Sequence, residues 1–190
     1  MNPSASLSET FSAYDKALFL FINGAGRNAF FDLLMPFITN KWNFVLPFAL
    51  LALYFLTRGG RKGRIALLLA IILVILADGS ATIFKYLFQR ARPCQVLHQI
   101  HVLVGCSSSF SFPSNHAVNA FALATLFTAC YRRLLVPLFA LAVLVGYSRV
   151  YVGAHYPFDV LAGSLWGTAL ALALVAFMRR FLTPHEKPLT

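Results

Sequence analysis

Ile65 to Phe84 is a run of twenty residues whose single charged side chain is Asp78. It is one of five long apolar stretches in this chain, the others being Asn40–Thr57, Ser114–Tyr131, Leu134–Tyr147 and Phe158–Met178. A helix that crosses ~30 Å of hydrocarbon at ~1.5 Å per residue needs about 17–25 largely apolar residues. In lipid each backbone N–H and C=O must find its partner within the protein. The expected fold is therefore an all-α integral membrane protein, a bundle of five to six transmembrane helices. Leu134–Tyr147 is short and is expected to continue towards Val150. Composition agrees: 59% of the residues are hydrophobic and 12% charged, where soluble domains average about 45–50% and about 25%.

The N-terminal part reads differently. Phe11–Asn23 and Ala29–Ile38 are each too short to span, and Gly24-Ala25-Gly26-Arg27-Asn28 separates them. A single span through Arg27 would place a charge near mid-bilayer, at a cost of roughly 2.5–3.5 kcal/mol. Two short helices lying at the interface or tucked against the bundle are expected instead. Met1–Glu9 has no basic n-region, so no cleavable signal peptide is expected and the spans themselves target the chain. Residues 1–190 read as one domain, with N-terminal helices over 1–39 and a transmembrane core over 40–181.

Sixteen Lys and Arg against six Asp and Glu give a net charge of +10. The basic residues sit in short loops between apolar runs, which points to the lipid bilayer and its anionic headgroups as partner and not to nucleic acid. Arg58, Arg61, Lys62 and Arg64 follow the first span, Arg132 and Arg133 the third, and Arg179 and Arg180 end the last. In a five-span bundle these share one side, which the positive-inside rule makes cytoplasmic. The remaining loops, Lys85–Pro113 and Ser148–Pro157, then meet on the outer face. They carry Lys85, Arg90, Arg92 and Arg149 against the rule, and those are the cations a phosphate site needs.

Three motifs sit in these outer loops: Lys85-x₆-Arg92-Pro93, Pro113-Ser114-Asn115-His116, and Ser148-Arg149-x₅-His155-x₃-Asp159. Phosphoryl transfer depends chiefly on positioning and charge stabilisation. Arg92 and Arg149 offer guanidinium forks for phosphate oxygens and Lys85 a point charge. Lys85 and Arg92 are two helical turns apart, so a helix continuing past Phe84 would carry both on one face, and Pro93 would end it. Taken alone, the pair reads better as cations reaching to headgroups. Pro113 and Ser114 suit a helix start, with Ser114 at the N-cap, and a helix N-terminus favours anions. His116 falls in the first turn, where lipid offers it no partner. Pro157 is expected to begin the last helix, so that Asp159 reaches back to His155. A carboxylate on one ring nitrogen fixes the tautomer and frees the other nitrogen to attack. The plainer role for Asp159 is to complement the helix dipole.

Together the motifs resemble the signature of the type 2 phosphatidic acid phosphatases, the lipid phosphate phosphatase superfamily, over roughly Lys85 to Asp159. The family's second motif usually reads Pro-Ser-Gly-His, so Asn115 replaces a glycine. The resemblance implies a metal-independent phosphatase without cofactor, acting on a membrane lipid phosphate. His155 is then the nucleophile that forms a phosphohistidine, His116 the general acid and Asp159 the orienting carboxylate. Lys85, Arg92, Ser114, Asn115 and Arg149 are then the phosphate-binding residues. Phe21-Ile22-Asn23-Gly24-Ala25-Gly26 and Asp32-Leu33-Leu34-Met35 further resemble the opening of the bacterial undecaprenyl-diphosphatase branch. That implies a multi-pass protein of the bacterial inner membrane, cutting undecaprenyl diphosphate at the outer face. Phosphatidylglycerophosphate, phosphatidate and lipid A phosphates are the alternative substrates. A silent lipid binder or scramblase would need only the cations, and His116, His155 and Asp159 speak against it.

Asp78 lies seven residues before Lys85 on the same helix face, and a structural hydrogen-bonding role is preferred for it over a substrate role. Cys94, His98, His101 and Cys106 share one outer loop, but their spacing matches no common zinc finger. An extracytoplasmic compartment favours a Cys94–Cys106 disulfide over free thiols, and either over zinc.

Overall fold

The computed structural model describes residues 7–181. The chain begins with α1 (Leu7–Leu20), a π-helical turn (Phe21–Ala25) and α2 (Ala29–Thr39). A 3₁₀ turn (Lys41–Phe44) leads into α3 (Val45–Thr57), followed by α4 (Gly60–Phe88) and the single turn α5 (Pro93–Val96). A long loop then reaches α6 (Asn115–Cys130), and α7 (Leu135–Tyr151) and α8 (Pro157–Phe181) complete the fold. Among the described residues, Gly60–Val96, Arg132–Tyr151 and Pro157–Arg180 are long and apolar enough to cross a membrane, while Lys41–Thr57 is a shorter apolar helix. The α7 run extends past Tyr147 to Tyr151, as its flanking residues predict.

At 16 residues, α6 is only about 24 Å long, yet it is the axis of the bundle, packed against α4, α7 and α8. Its partners reach it through small residues. A Cβ at Gly167 of α8 would stand 2.1 Å from the Val118 carbonyl oxygen, and one at Gly163 would stand 2.8 Å from that of Ser114. These two glycines, one turn apart, let α8 cross α6 at backbone contact, the device membrane helices use to pack closely. Ala77, Ala81, Ala122 and Ala171 fill the buried layers beside them, with Leu73, Val118 and Leu126. Ile75, Ile83, Val136, Leu165 and Leu172 are exposed and face outward, where lipid is the matching solvent.

The basic ends of the helices gather at one end of the bundle, where Lys62 Nζ stands 4.8 Å above the Tyr131 ring. The N-terminal helices wrap the opposite end. There α1 packs on the start of α8, the π turn on the end of α7, and α2 along α7. Asn28 caps α2 by accepting the Phe31 N–H at 2.9 Å. Buried Asn23 fastens the π turn by donating to the carbonyls of His101 and Tyr151, each at 2.7 Å, while accepting the His101 N–H at 2.8 Å. Asp32 accepts the Tyr151 hydroxyl at 2.7 Å and pairs with His101 at 3.0 Å, and Met35 is fully buried beside them. Two short helices tucked against the bundle are thus what the broken apolar pattern produces.

One expectation needs correction. Lys85 and Arg92 do not share a helix face, because α4 ends at Phe88 and Gln89 turns left-handed at φ 45°. Arg92 is extended, at φ −78° and ψ 153°. The residue before a proline is pushed out of the helical region, so Pro93 denies Arg92 a helical backbone, and the left-handed turn at Gln89 has already ended α4.

Candidate active site

The site lies at the end of the bundle away from the basic turns, where α4, α6, α7 and α8 bring their motifs together. Gly153, at φ +82°, makes the turn after α7 that delivers His155, and a Cβ there would meet the His101 carbonyl oxygen at 2.8 Å. The Ala154 and His155 N–H groups close this turn on the Arg149 carbonyl at 3.1 and 3.2 Å. Pro157 opens α8, and Asp159 Oδ2 accepts the Tyr156 N–H at 2.9 Å, the acceptor half of a capping box. The capping and orienting readings of Asp159 are therefore one arrangement.

His155 is buried, with 2% of its side chain exposed. Its Nε2 stands 2.9 Å from Arg92 Nη1. Arginine has no acceptor, so Nε2 carries the lone pair and Nδ1 the proton. Nδ1 is 3.3 Å from Ser111 Oγ and 3.6 Å from Asp159 Oδ2, and Ser111 Oγ donates to that same oxygen at 2.5 Å. Asp159 thus orients His155 through Ser111 rather than directly. Burial pushes the imidazole down to about 3; Arg149 and Arg92 add to this and Asp159 opposes it. The result is a neutral imidazole with its free lone pair turned towards the cations.

Asp159 is itself fully buried, and its charge is answered by Arg90, whose Nη1 lies 2.7 Å from Oδ1. The same guanidinium places Nη2 2.6 Å from Oδ2 of buried Asp15 on α1, and stacks 4.1 Å above the Tyr156 ring. Asp15 Oδ1 accepts the Phe158 N–H at 2.9 Å, so two carboxylates cap the start of α8 and one arginine bridges them.

The phosphate-binding candidates surround this centre. All five N–H donors of Arg92 are engaged: with Ser109 O and Oγ, Phe110 O, Ala154 O and His155 Nε2. Lys85 Nζ donates to the carbonyls of Phe110 at 2.7 Å and Pro113 at 2.9 Å. The cations therefore also shape the loop, which a disulfide between Cys94 and Cys106 closes further. With both thiols oxidised and His101 on Asp32, the zinc alternative lacks its ligands. Arg149 Nη1 donates to Thr39 Oγ1, and one His116 ring nitrogen donates to the Thr39 backbone carbonyl. Ser114 holds the N-cap position of α6, but its hydroxyl makes no cap bond. Among the described residues, five buried side-chain polar atoms lack a partner, and three of them belong to Ser114, Asn115 and Arg149. Buried polar groups are nearly always paired, so the unmet donors Ser114 Oγ and Arg149 Nε mark the place for an anion, while the unmet Asn115 atom is its amide oxygen, an acceptor. The first-turn N–H groups of α6 face the same space.

The family model that matches residues 63–182 is that of the PAP2 superfamily. The chain belongs to this superfamily. With it comes the activity class: a membrane phosphatase that hydrolyses lipid phosphates. Among curated proteins, the bacitracin transport permease protein BcrC of Bacillus licheniformis is 30% identical, over 94% of this chain and 90% of its own. Undecaprenyl-diphosphatase BcrC of Bacillus subtilis is 33% identical, over 78% of this chain and 75% of its own. Among solved structures, a transmembrane PAP2-type phosphatidylglycerolphosphate phosphatase of Bacillus subtilis superposes with a TM-score of 0.71 at 26% identity, over 95% of this chain and 90% of that one. These relatives place the chain with the undecaprenyl-diphosphatase-like branch of PAP2 proteins.

Three residues of this arrangement have no place in the sequence reading, and a fourth has a different one. Ser111 stands two residues before Pro113 in a serine-rich loop and looks like ordinary loop composition. Asp15 and Thr39 lie in the N-terminal helices, far from any motif. Arg90, read from the sequence as a cation for the phosphate, instead bridges Asp15 and Asp159. Asp15 shares α1 with Glu9 and has Lys16 as its neighbour, so nothing in the sequence set it apart from other helix charges.

Proposed function

We propose that the protein hydrolyses a polyprenyl diphosphate, undecaprenyl diphosphate to undecaprenyl phosphate and phosphate, at the extracytoplasmic face through a phosphohistidine on His155. The observation that carries this is the state of His155: neutral, buried, its Nδ1–H backed by Ser111 and Asp159 and its Nε2 lone pair aimed among Arg92, Arg149 and Lys85. The terminal phosphoryl group takes the position between Nε2 and the cations, displacing the Arg92 bond to Nε2. Nε2 attacks phosphorus, the bond to the bridging oxygen breaks, and His116 gives that oxygen its proton. Asp159, through Ser111, stabilises the positive ring that forms. Water then attacks phosphorus and gives a proton to His116 as the P–N bond breaks, releasing inorganic phosphate and neutral His155.

His116 can serve as the acid only with phosphate bound: burial and Arg149 disfavour its imidazolium, and the Thr39 carbonyl at the C-terminal end of α2 offsets them only in part. The phosphate supplies the negative charge that lets this imidazolium form beside Arg149. Ser114 Oγ, Arg149 Nε and the backbone N–H of Asn115 complete the phosphate cradle.

The diphosphate substrate is supported by the undecaprenyl-diphosphatase name of the Bacillus subtilis relative and by the outward orientation. That orientation rests on the basic turns at the far end of the bundle. The test is phosphate release in detergent, with a chelator present, from undecaprenyl diphosphate, phosphatidylglycerophosphate, phosphatidate and lipid A. The highest kcat/KM is expected on the polyprenyl diphosphate; preference for a glycerophospholipid defeats the substrate assignment. For the orientation, His98→Cys in a background lacking Cys130 should react with an impermeant maleimide on intact cells and Arg61→Cys should not. The reverse pattern overturns it.

A further inference from the structure

Asp78 is exposed on α4, two turns below Lys85, in the middle of a membrane-spanning helix. A carboxylate there is costly and has to do something for the protein. Its Oδ1 accepts two amides from α6: Asn115 Nδ2 at 3.1 Å and Asn119 Nδ2 at 2.9 Å. The two asparagines are one turn apart on one face of α6, so a single carboxylate oxygen holds both. The Oδ1 atoms of both amides are buried and unpartnered, so the bonds to Asp78 anchor each side chain.

Asn115 sits between Ser114 and His116, at the first helical residue of the phosphate cradle. A side chain free to turn there would bring a carbonyl oxygen, a bare acceptor, against an incoming phosphate. Electrostatics opposes that contact. Bound to Asp78, the amide is tied to α4 two turns below Lys85, and the backbone N–H of Asn115 is left to the anion. We infer that Asp78 is a positioning residue for phosphate binding: it holds Asn115 clear of the cradle, so that a motif with asparagine where the resembled signature has glycine still admits phosphate. This rests on the phosphatase reading above and adds a residue outside the three motifs. Asn119 shares the carboxylate one turn further from the cradle, and serves as an internal control for the purely structural part of the contact.

The purified full chain in detergent, with farnesyl diphosphate as substrate and inorganic phosphate as competing product, tests the inference. Asp78→Leu should raise KM and weaken inhibition by inorganic phosphate, each by about tenfold, the scale of losing a hydrogen bond to a charged group. Adding Asn115→Gly to Asp78→Leu should bring both back to within about threefold of wild type, since no side chain is left to hold. Asn119→Leu should lower the unfolding temperature and leave KM alone. If the double variant is as impaired as Asp78→Leu, or if Asn119→Leu raises KM as much, Asp78 acts through packing and the inference fails. Should Asp78→Leu not fold, Asp78→Asn decides: it keeps an acceptor oxygen for both amides and should keep KM near wild type, and a tenfold rise there overturns the inference. Phosphohistidine formation at saturating substrate separates the two claims, because it should persist in Asp78→Leu and its absence from wild type would instead refute the phosphatase mechanism.

Discussion

Removing the Arg90 guanidinium should loosen both the fold and the catalytic centre at once. Arg90 is the cation that bridges Asp15 and Asp159, at 2.6 and 2.7 Å, and those carboxylates are 1% and 0% exposed. In Arg90→Leu each is left as a buried charge without its cation, a change that costs about 3–5 kcal/mol in buried pairs. Arg90 itself is 28% exposed, so water reaches one end of the bridge and the lower figure, about 3 kcal/mol, is the better expectation. The stack on Tyr156 adds roughly 0.5–1 kcal/mol at such a site. In a chain of this size that corresponds to an unfolding temperature lower by about 6–12 °C. Arg90→Lys keeps the charge but not the fork, so it should fall in between. Combining Asp15→Asn with Arg90→Leu removes one stranded charge and should recover part of the loss, a coupling that only contacting residues show. Thermal unfolding in detergent beside kcat on farnesyl diphosphate reads both effects. If Arg90→Leu unfolds within about 2 °C of wild type, less than ~1 kcal/mol, the bridge does not hold α1 to α8 and the reasoning is wrong.

Other consequences follow from the same geometry. Ser111→Ala breaks the link between His155 Nδ1 and Asp159 and should cost about 1–3 kcal/mol in activation, roughly 5- to 150-fold in kcat, with KM little changed; an unaltered kcat would mean Asp159 reaches His155 without Ser111. Gly167→Leu drives a side chain into the Val118 backbone and should abolish folded protein, as judged by size-exclusion chromatography, because the obstructing atom is backbone and cannot yield. Burial holds His155 at about 3 where the unfolded chain titrates near 6.5, so the unfolded state takes up the proton first as pH falls. Stability should therefore drop with falling pH between about 6.5 and about 3 and be flat above, and His155→Phe should remove that part of the slope in thermal unfolding curves.

The spans were legible because hydrocarbon imposes a length and a composition on each of them, and α4, α6, α7 and α8 start and stop close to where the apolar runs do. The three motifs were legible because lipid leaves few reasons for arginine, histidine and aspartate at helix ends. What stayed hidden depends on single long-range contacts. Asp15 and Thr39 are unremarked polar residues until the fold sets them against Arg90 and Arg149, and no periodicity reports such pairings. The placing of Lys85 and Arg92 on one helix face failed for a local reason, since Pro93 already forbids Arg92 a helical backbone. The Ser111 relay escaped because spacing alone puts Asp159 within reach of His155, and a distance of 3.6 Å rather than a hydrogen bond is visible only in three dimensions.

The most direct measurement is trapping of the phosphorylated enzyme. Rapid mixing with terminally labelled farnesyl diphosphate, alkaline quenching and peptide mass spectrometry should find phosphate on His155, stable to base and lost in acid. The label should be absent from His155→Ala and should turn over more slowly in His116→Ala. Label on another residue, or full turnover by His155→Ala, would contradict the account.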